Sequence, residues 1–137
     1  MDDAAPTELD LGGLHFAASF RGRAGATLRV FGRLEGVQTE LLRFDDFIGG
    51  PHYHFPADAD PIGFDQAALG EPLDWLVAQM RDHLARLLTD AGLAAVLPGV
   101  DLNAVTANAE RIRKLMTDCL PEGYVRVSGV GLRRVEA

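Results

Sequence analysis

The apolar residues of this chain recur with a period of two as far as about Phe55, and with a period of 3.6 from Pro72 onward. A period of two sends alternate side chains to opposite faces of a strand, whereas 3.6 gathers them into one stripe of a helix. A chain that switches once between these patterns is confined to an α+β layout: an N-terminal antiparallel β-meander packed against two long C-terminal helices.

In the first half, Leu14, Phe16, Ala18 and Phe20 share one strand face, with His15, Ala17, Ser19 and Arg21 on the other. After the glycine turn at Gly22–Gly25, Leu28, Val30 and Leu34 alternate with Arg29, Phe31 and Arg33. Glu35-Gly36 suits a two-residue hairpin, because glycine adopts positive φ without cost from a Cβ. A third strand is expected over Val37–Phe44 and a short fourth over Pro51–Phe55, followed by a loop to Gly70 with a helical turn near Asp65–Leu69. Leu73, Leu76, Val77, Met80, Leu84, Leu87 and Leu88 mark the first long helix, with Pro72 in its first turn. Asp101 is the expected N-cap of the second, whose stripe runs through Val105, Ala109, Ile112, Met116 and Cys119 until Pro121 and Gly123 stop it. Tyr124–Val135 reads as a final strand with a bend or bulge at Gly129 or Gly131.

The 137 residues, 47% of them hydrophobic, suffice for one domain with one core, and residues 1–8 read as a flexible N-terminal segment. A single cysteine, Cys119, forms no internal disulfide and reads as a small buried hydrophobe. The acidic start, Met1-Asp2-Asp3, lacks the features of a secretory signal, which points to the cytoplasm, and no apolar run approaches the length of a membrane span. A formal charge of -7 argues against a general nucleic-acid coat, yet five arginines fall between Arg21 and Arg43 against only Glu35 and Glu40. Arg29, Phe31, Arg33 and Arg43 are therefore the expected contacts for a protein or RNA partner, the two guanidinium groups and ring of Arg29-Phe31-Arg33 resembling a single-stranded RNA platform. A homodimer contact is expected at an uncovered sheet face or at Trp75, which lies off the main helical stripe.

The densest chemistry lies between Arg43 and Phe55. His52 and His54 are two apart on a strand and project from one face, within reach of one divalent metal ion. Asp45, Asp46 and Asp58 are the carboxylates close enough in sequence to complete a set of two histidines and one acid, the ligand pattern of a facial triad. Such a site would suit a metal-dependent hydrolase; otherwise the two histidines brace the turn at Gly49-Gly50 and have no catalytic role. His83 would add a third histidine if the first long helix covered that face. Phosphate-cradling loops, nucleophile elbows and spaced dinucleotide-binding glycines are absent, so no nucleotide or flavin signature is present.

The order Arg43-Phe44-Asp45-Asp46 and then His52-Tyr53-His54 resembles the small TumE-like toxins paired with nucleotidyltransferase-type antitoxins. In that family a strand meander leads to an Arg-Tyr/Phe-Asp-Asn turn, a His-x-His strand and an aliphatic helix. Arg43, Phe44, Asp45, His52 and His54 fit, Asp46 stands where Asn is usual, and the likeness spans about residues 14 to 90. The resemblance implies a small accessory domain that binds a protein or RNA partner. The Pro51-His52-Tyr53-His54 stretch is also similar to bacterial domains of unknown function.

Overall fold

The computed structural model describes residues 6–22 and 24–135. Its elements follow the switch in period. Six strands come first: β1 (Thr7–Leu11), β2 (Leu14–Arg21), β3 (Gly25–Leu34), β4 (Val37–Phe47), β5 (His52–His54) and β6 (Ile62–Gly63). Helices α1 (Gln66–Leu69), α2 (Pro72–Asp82), α3 (Leu84–Asp90), α4 (Leu102–Ala107) and α5 (Glu110–Asp118) follow, with a 3₁₀ turn at Ala94–Gly99. Strands β7 (Tyr124–Val127) and β8 (Gly131–Arg134) end the fold as a separate hairpin.

The large sheet is an antiparallel meander in which every strand pairs with its neighbour in sequence. Leu14, Phe16, Ala18, Leu28, Val30, Leu42 and Phe44 form its buried face, against which Leu73, Leu76, Val77 and Met80 of α2 and Ile112, Leu115 and Met116 of α5 pack. Each large apolar side chain taken out of water there stabilises the fold by about 1.5–3 kcal/mol. A bulge opposite Val30 and Phe31 lets the consecutive residues Leu41 and Leu42 both be buried. Gly32 makes room for it: a Cβ there would stand 2.8 Å from Leu41 Cδ1 and 3.0 Å from Val96 Cγ2.

Four features depart from the sequence reading. Thr7 and Glu8, expected in a flexible leader, open β1, whose Thr7 hydroxyl donates to Leu115 O at 3.2 Å; Met1–Ala5 lie outside the described residues. Each long helix is interrupted, the first at His83 (φ -134°) and the second at Asn108 (φ -124°). Side chains take over carbonyls near both breaks: Thr106 Oγ1 donates to Arg81 O and Asn108 Nδ2 to Ala104 O, both at 2.8 Å. The expected final strand is a two-stranded hairpin turning through Ser128-Gly129-Val130. Ile62-Gly63, read as loop, adds a short edge strand to β5.

Candidate metal centre

The helices cover only one face of the meander, so the other carries the alternates: half-buried His15 and Ala17 of β2, Arg29 and Phe31 of β3, Arg43 of β4, and His52 and His54 of β5, together with the buried Asp45 of β4. Strand register decides which of these meet. Thr27 pairs with Asp45, Asp45 with His52, and Arg43 with His54, so a period-two alternation in each strand becomes a row across the sheet.

Asp45 is 4% exposed, and its two oxygens have different partners. Oδ1 accepts from the buried Thr27 hydroxyl at 2.7 Å, which fixes the carboxylate plane. Oδ2 faces His52 Nε2 at 3.0 Å and His54 Nε2 at 3.4 Å. On the far side of each ring, Nδ1 lies against a backbone carbonyl, Gly50 O for His52 at 2.9 Å and Ala59 O for His54 at 2.8 Å. A carbonyl only accepts, so both Nδ1 atoms carry a proton, and in the neutral rings both Nε2 lone pairs point at the carboxylate. Three electron-pair donors then converge on one point, an arrangement that a cation would satisfy.

The spacing suits a cation. Donors held about 2.0–2.2 Å from one ion lie about 2.9–3.5 Å from each other in octahedral or tetrahedral geometry. The two distances to Oδ2 fall in that interval, and the three donor atoms all lie within 4.8 Å of one another. The carbonyls on Nδ1 and the hydroxyl on Oδ1 supply the outer hydrogen bonds that orient metal-binding imidazoles and carboxylates.

Of the carboxylates considered from sequence, only Asp45 joins the histidines. Asp46 points to the opposite face, where it is 3% exposed and accepts from Arg126 of β7. Asp58 is exposed and outside the cluster, although the neighbouring Ala59 supplies the carbonyl that holds His54. His83 is exposed at the end of α2, a helix that covers the other sheet face, so it adds no third imidazole. Trp75 is not a free ring; it packs among Phe44, Tyr53, Phe55 and Phe64 with centroids 5.2–6.4 Å away.

The arginine row is partly engaged within the domain. Arg33 donates to Gly36 O at 2.7 Å and steadies the hairpin. Arg43 grips Glu40 through Nε at 3.0 Å and a terminal nitrogen at 3.2 Å. Arg29 shares Glu40 only at 3.6 Å, and its buried Nε has no hydrogen-bond partner among the described residues. The β7–β8 hairpin reaches the meander through Arg126, which also donates to Met116 O, and through Tyr124, whose ring lies 4.5 Å from Phe20. Sequence reading missed this tie, because Arg126 and Asp46 are far apart along the chain. Cys119 is buried as expected, and desolvation pushes its thiol up to about 11. Among the described residues, no helix is long and apolar enough to cross a membrane.

A family model described as Domain of unknown function (DUF7700) matches residues 8–116, and the chain belongs to that family. No curated protein and no solved structure matches it. The likeness to TumE-like toxins gains no support from these comparisons.

Proposed function

We propose that this member of the family binds one divalent transition-metal ion through Asp45 Oδ2, His52 Nε2 and His54 Nε2, on the open face of its sheet. The observation that carries the reading is the pinning of both Nδ1 atoms by Gly50 O and Ala59 O, which turns both Nε2 atoms onto a buried carboxylate. Imidazole nitrogen with one carboxylate favours zinc, iron or manganese over calcium or magnesium, which prefer oxygen sets. Three protein ligands leave positions open, and the cluster lies on the face the helices do not cover. An ion held there would supply the chemistry of such a centre, lowering the pKa of a bound water so that it could act as a nucleophile near neutral pH.

The test is metal content by elemental mass spectrometry, with calorimetric titration of zinc and manganese into chelator-treated protein. About one ion per chain is expected, lost in the His52→Ala/His54→Ala double variant, while Thr27→Val, which removes only the orienting hydroxyl, weakens binding about 10–100-fold. Wild-type protein that takes up no ion, with His52→Ala lowering stability alone, would make the histidines braces for the Gly49-Gly50 turn.

A further inference from the structure

His54 is tied to two parts of the chain, and one of them has little else to hold it. Its Nε2 faces Asp45 Oδ2 at 3.4 Å, while its Nδ1 donates to Ala59 O at 2.8 Å. Ala59 lies between β5 and β6, in a stretch, residues 56–63, that is half-buried or exposed throughout. The backbone there is anchored by Ala57 N–H on Leu41 O at 2.8 Å, by the two-residue ladder of Ile62 and Gly63 with Tyr53 and His52, and at its end by Phe64 N–H on Pro51 O at 2.9 Å. Ala59 N–H bonds within the stretch, to Pro56 O at 3.0 Å. A segment with so few buried apolar contacts opens locally, at a fraction of the free energy of global unfolding. The turn that holds His52 differs. Ile48 N–H donates to Ala24 O at 2.7 Å and Gly50 N–H to Phe47 O at 3.2 Å, so Gly50 O keeps its place through backbone bonds of its own.

An ion on Nε2 bears on the weaker of these two tethers. A metal-bound imidazole is fixed in tautomer and orientation, so its Nδ1–H stays aimed at one carbonyl. Outer hydrogen bonds of this kind are worth about 10–100-fold in metal affinity. Coupling between two binding equilibria is reciprocal. If closure of residues 56–63 raises affinity by that factor, the ion favours closure by the same factor.

We infer that residues 56–63 form a flap latched by the ion: metal at Asp45, His52 and His54 holds the flap on the sheet through Nδ1 of His54, and loss of the ion lets it open and leaves the edge of β5 unpaired. The inference rests on the metal reading above, and its test separates the two. Full-length, chelator-treated protein is compared with the same protein saturated with zinc, by amide hydrogen exchange read in two-dimensional NMR at one pH. Zinc should slow exchange at Ala57 and Phe64, whose hydrogen bonds are lost when the flap opens, by about tenfold or more. Val130 and Val135 of the β7–β8 hairpin donate to Val127 O and Gly123 O away from the centre and should change by less than about twofold. In His52→Ala/His54→Ala zinc should slow neither group. Ala57→Pro removes the N–H that holds the flap to Leu41 O without touching Ala59 or a metal ligand, and should weaken zinc binding about tenfold in calorimetry. If that variant fails to fold by circular dichroism, exchange in the wild-type protein decides alone. Zinc bound at one ion per chain with flap exchange unchanged, or slowed no more than the hairpin, would overturn the inference and leave the metal centre standing. So would Ala57→Pro protein whose flap exchanges freely yet binds zinc as tightly as wild type. Wild-type protein that binds no zinc would remove the centre and the latch together.

Discussion

Replacing Arg126 by Met should be among the most damaging single changes in this domain, although Arg126 lies beyond the family match. Asp46 is 4% exposed and Arg126 13% exposed at their side chains, so the pair sits almost wholly out of water. Removing the guanidinium strands a buried carboxylate, at a cost of about 3–5 kcal/mol, and also frees Met116 O from its donor. Against a total stability of about 5–15 kcal/mol this is a large fraction, equivalent to a fall in Tm on the order of 10–20 °C. Urea denaturation followed by circular dichroism measures it, in a cycle of Arg126→Met, Asp46→Asn and the double variant. The double variant should be less destabilised than the sum of the singles, by about 1–3 kcal/mol. Asp46→Asn should also leave metal uptake unchanged, whereas Asp45→Asn should reduce it. A cost below about 1 kcal/mol for Arg126→Met, or strict additivity, would refute the assignment of Asp46 to a structural ion pair.

Other outcomes follow from the same geometry. Gly13 has φ +82°, and a Cβ there would lie 2.2 Å from Gly99 O, so Gly13→Ala should lower stability by about 1–3 kcal/mol in thermal melts. Hydrogen bonds to Asp10 and then Glu8 raise the pKa of His15 above its ordinary value of 6.5. Its contribution to stability is therefore fully present below pH 6.5 and disappears as pH rises through the higher folded value; His15→Gln should flatten that part of a stability-versus-pH curve. With its thiol buried and pushed up to about 11, Cys119 should resist iodoacetamide at pH about 8 in the folded protein and react once urea unfolds it.

The parts of the fold legible in sequence are those governed by local periodicity. Alternation placed β2, β3 and β4, and the spacing of His52 and His54 placed both rings on one face. The choice among Asp45, Asp46 and Asp58 needed register: Asp45 pairs directly with His52, which puts its immediate neighbour Asp46 on the far face. Proximity in sequence misled at Asp58, because the loop after Phe55 turns its side chain to solvent. β1 was hidden by its own surface alternates, Glu8 and Asp10, which make a short strand look like an acidic tail. The helix breaks were invisible because their carbonyls are satisfied by Thr106, from another helix, and by Asn108, whose side chain reaches back one turn. The aromatic neighbours of Trp75 come from β4, from β5 and the residue just after it, and from the loop before α1, which no helical stripe reveals.

The β4–β5 register has one further consequence. Gly49 sits in the turn between these strands with φ +82°, and the strands pair only through Arg43–His54, Phe44–Tyr53 and Asp45–His52. A shift of one residue in so short a ladder would exchange every inside position for an outside one, swinging Tyr53 out of its aromatic nest and both imidazoles toward the core. Insertion or deletion of a single residue between Ile48 and Pro51 is thus graver here than many substitutions within the cluster, because it scrambles both the donors and the hydrophobic layer beneath them in one step.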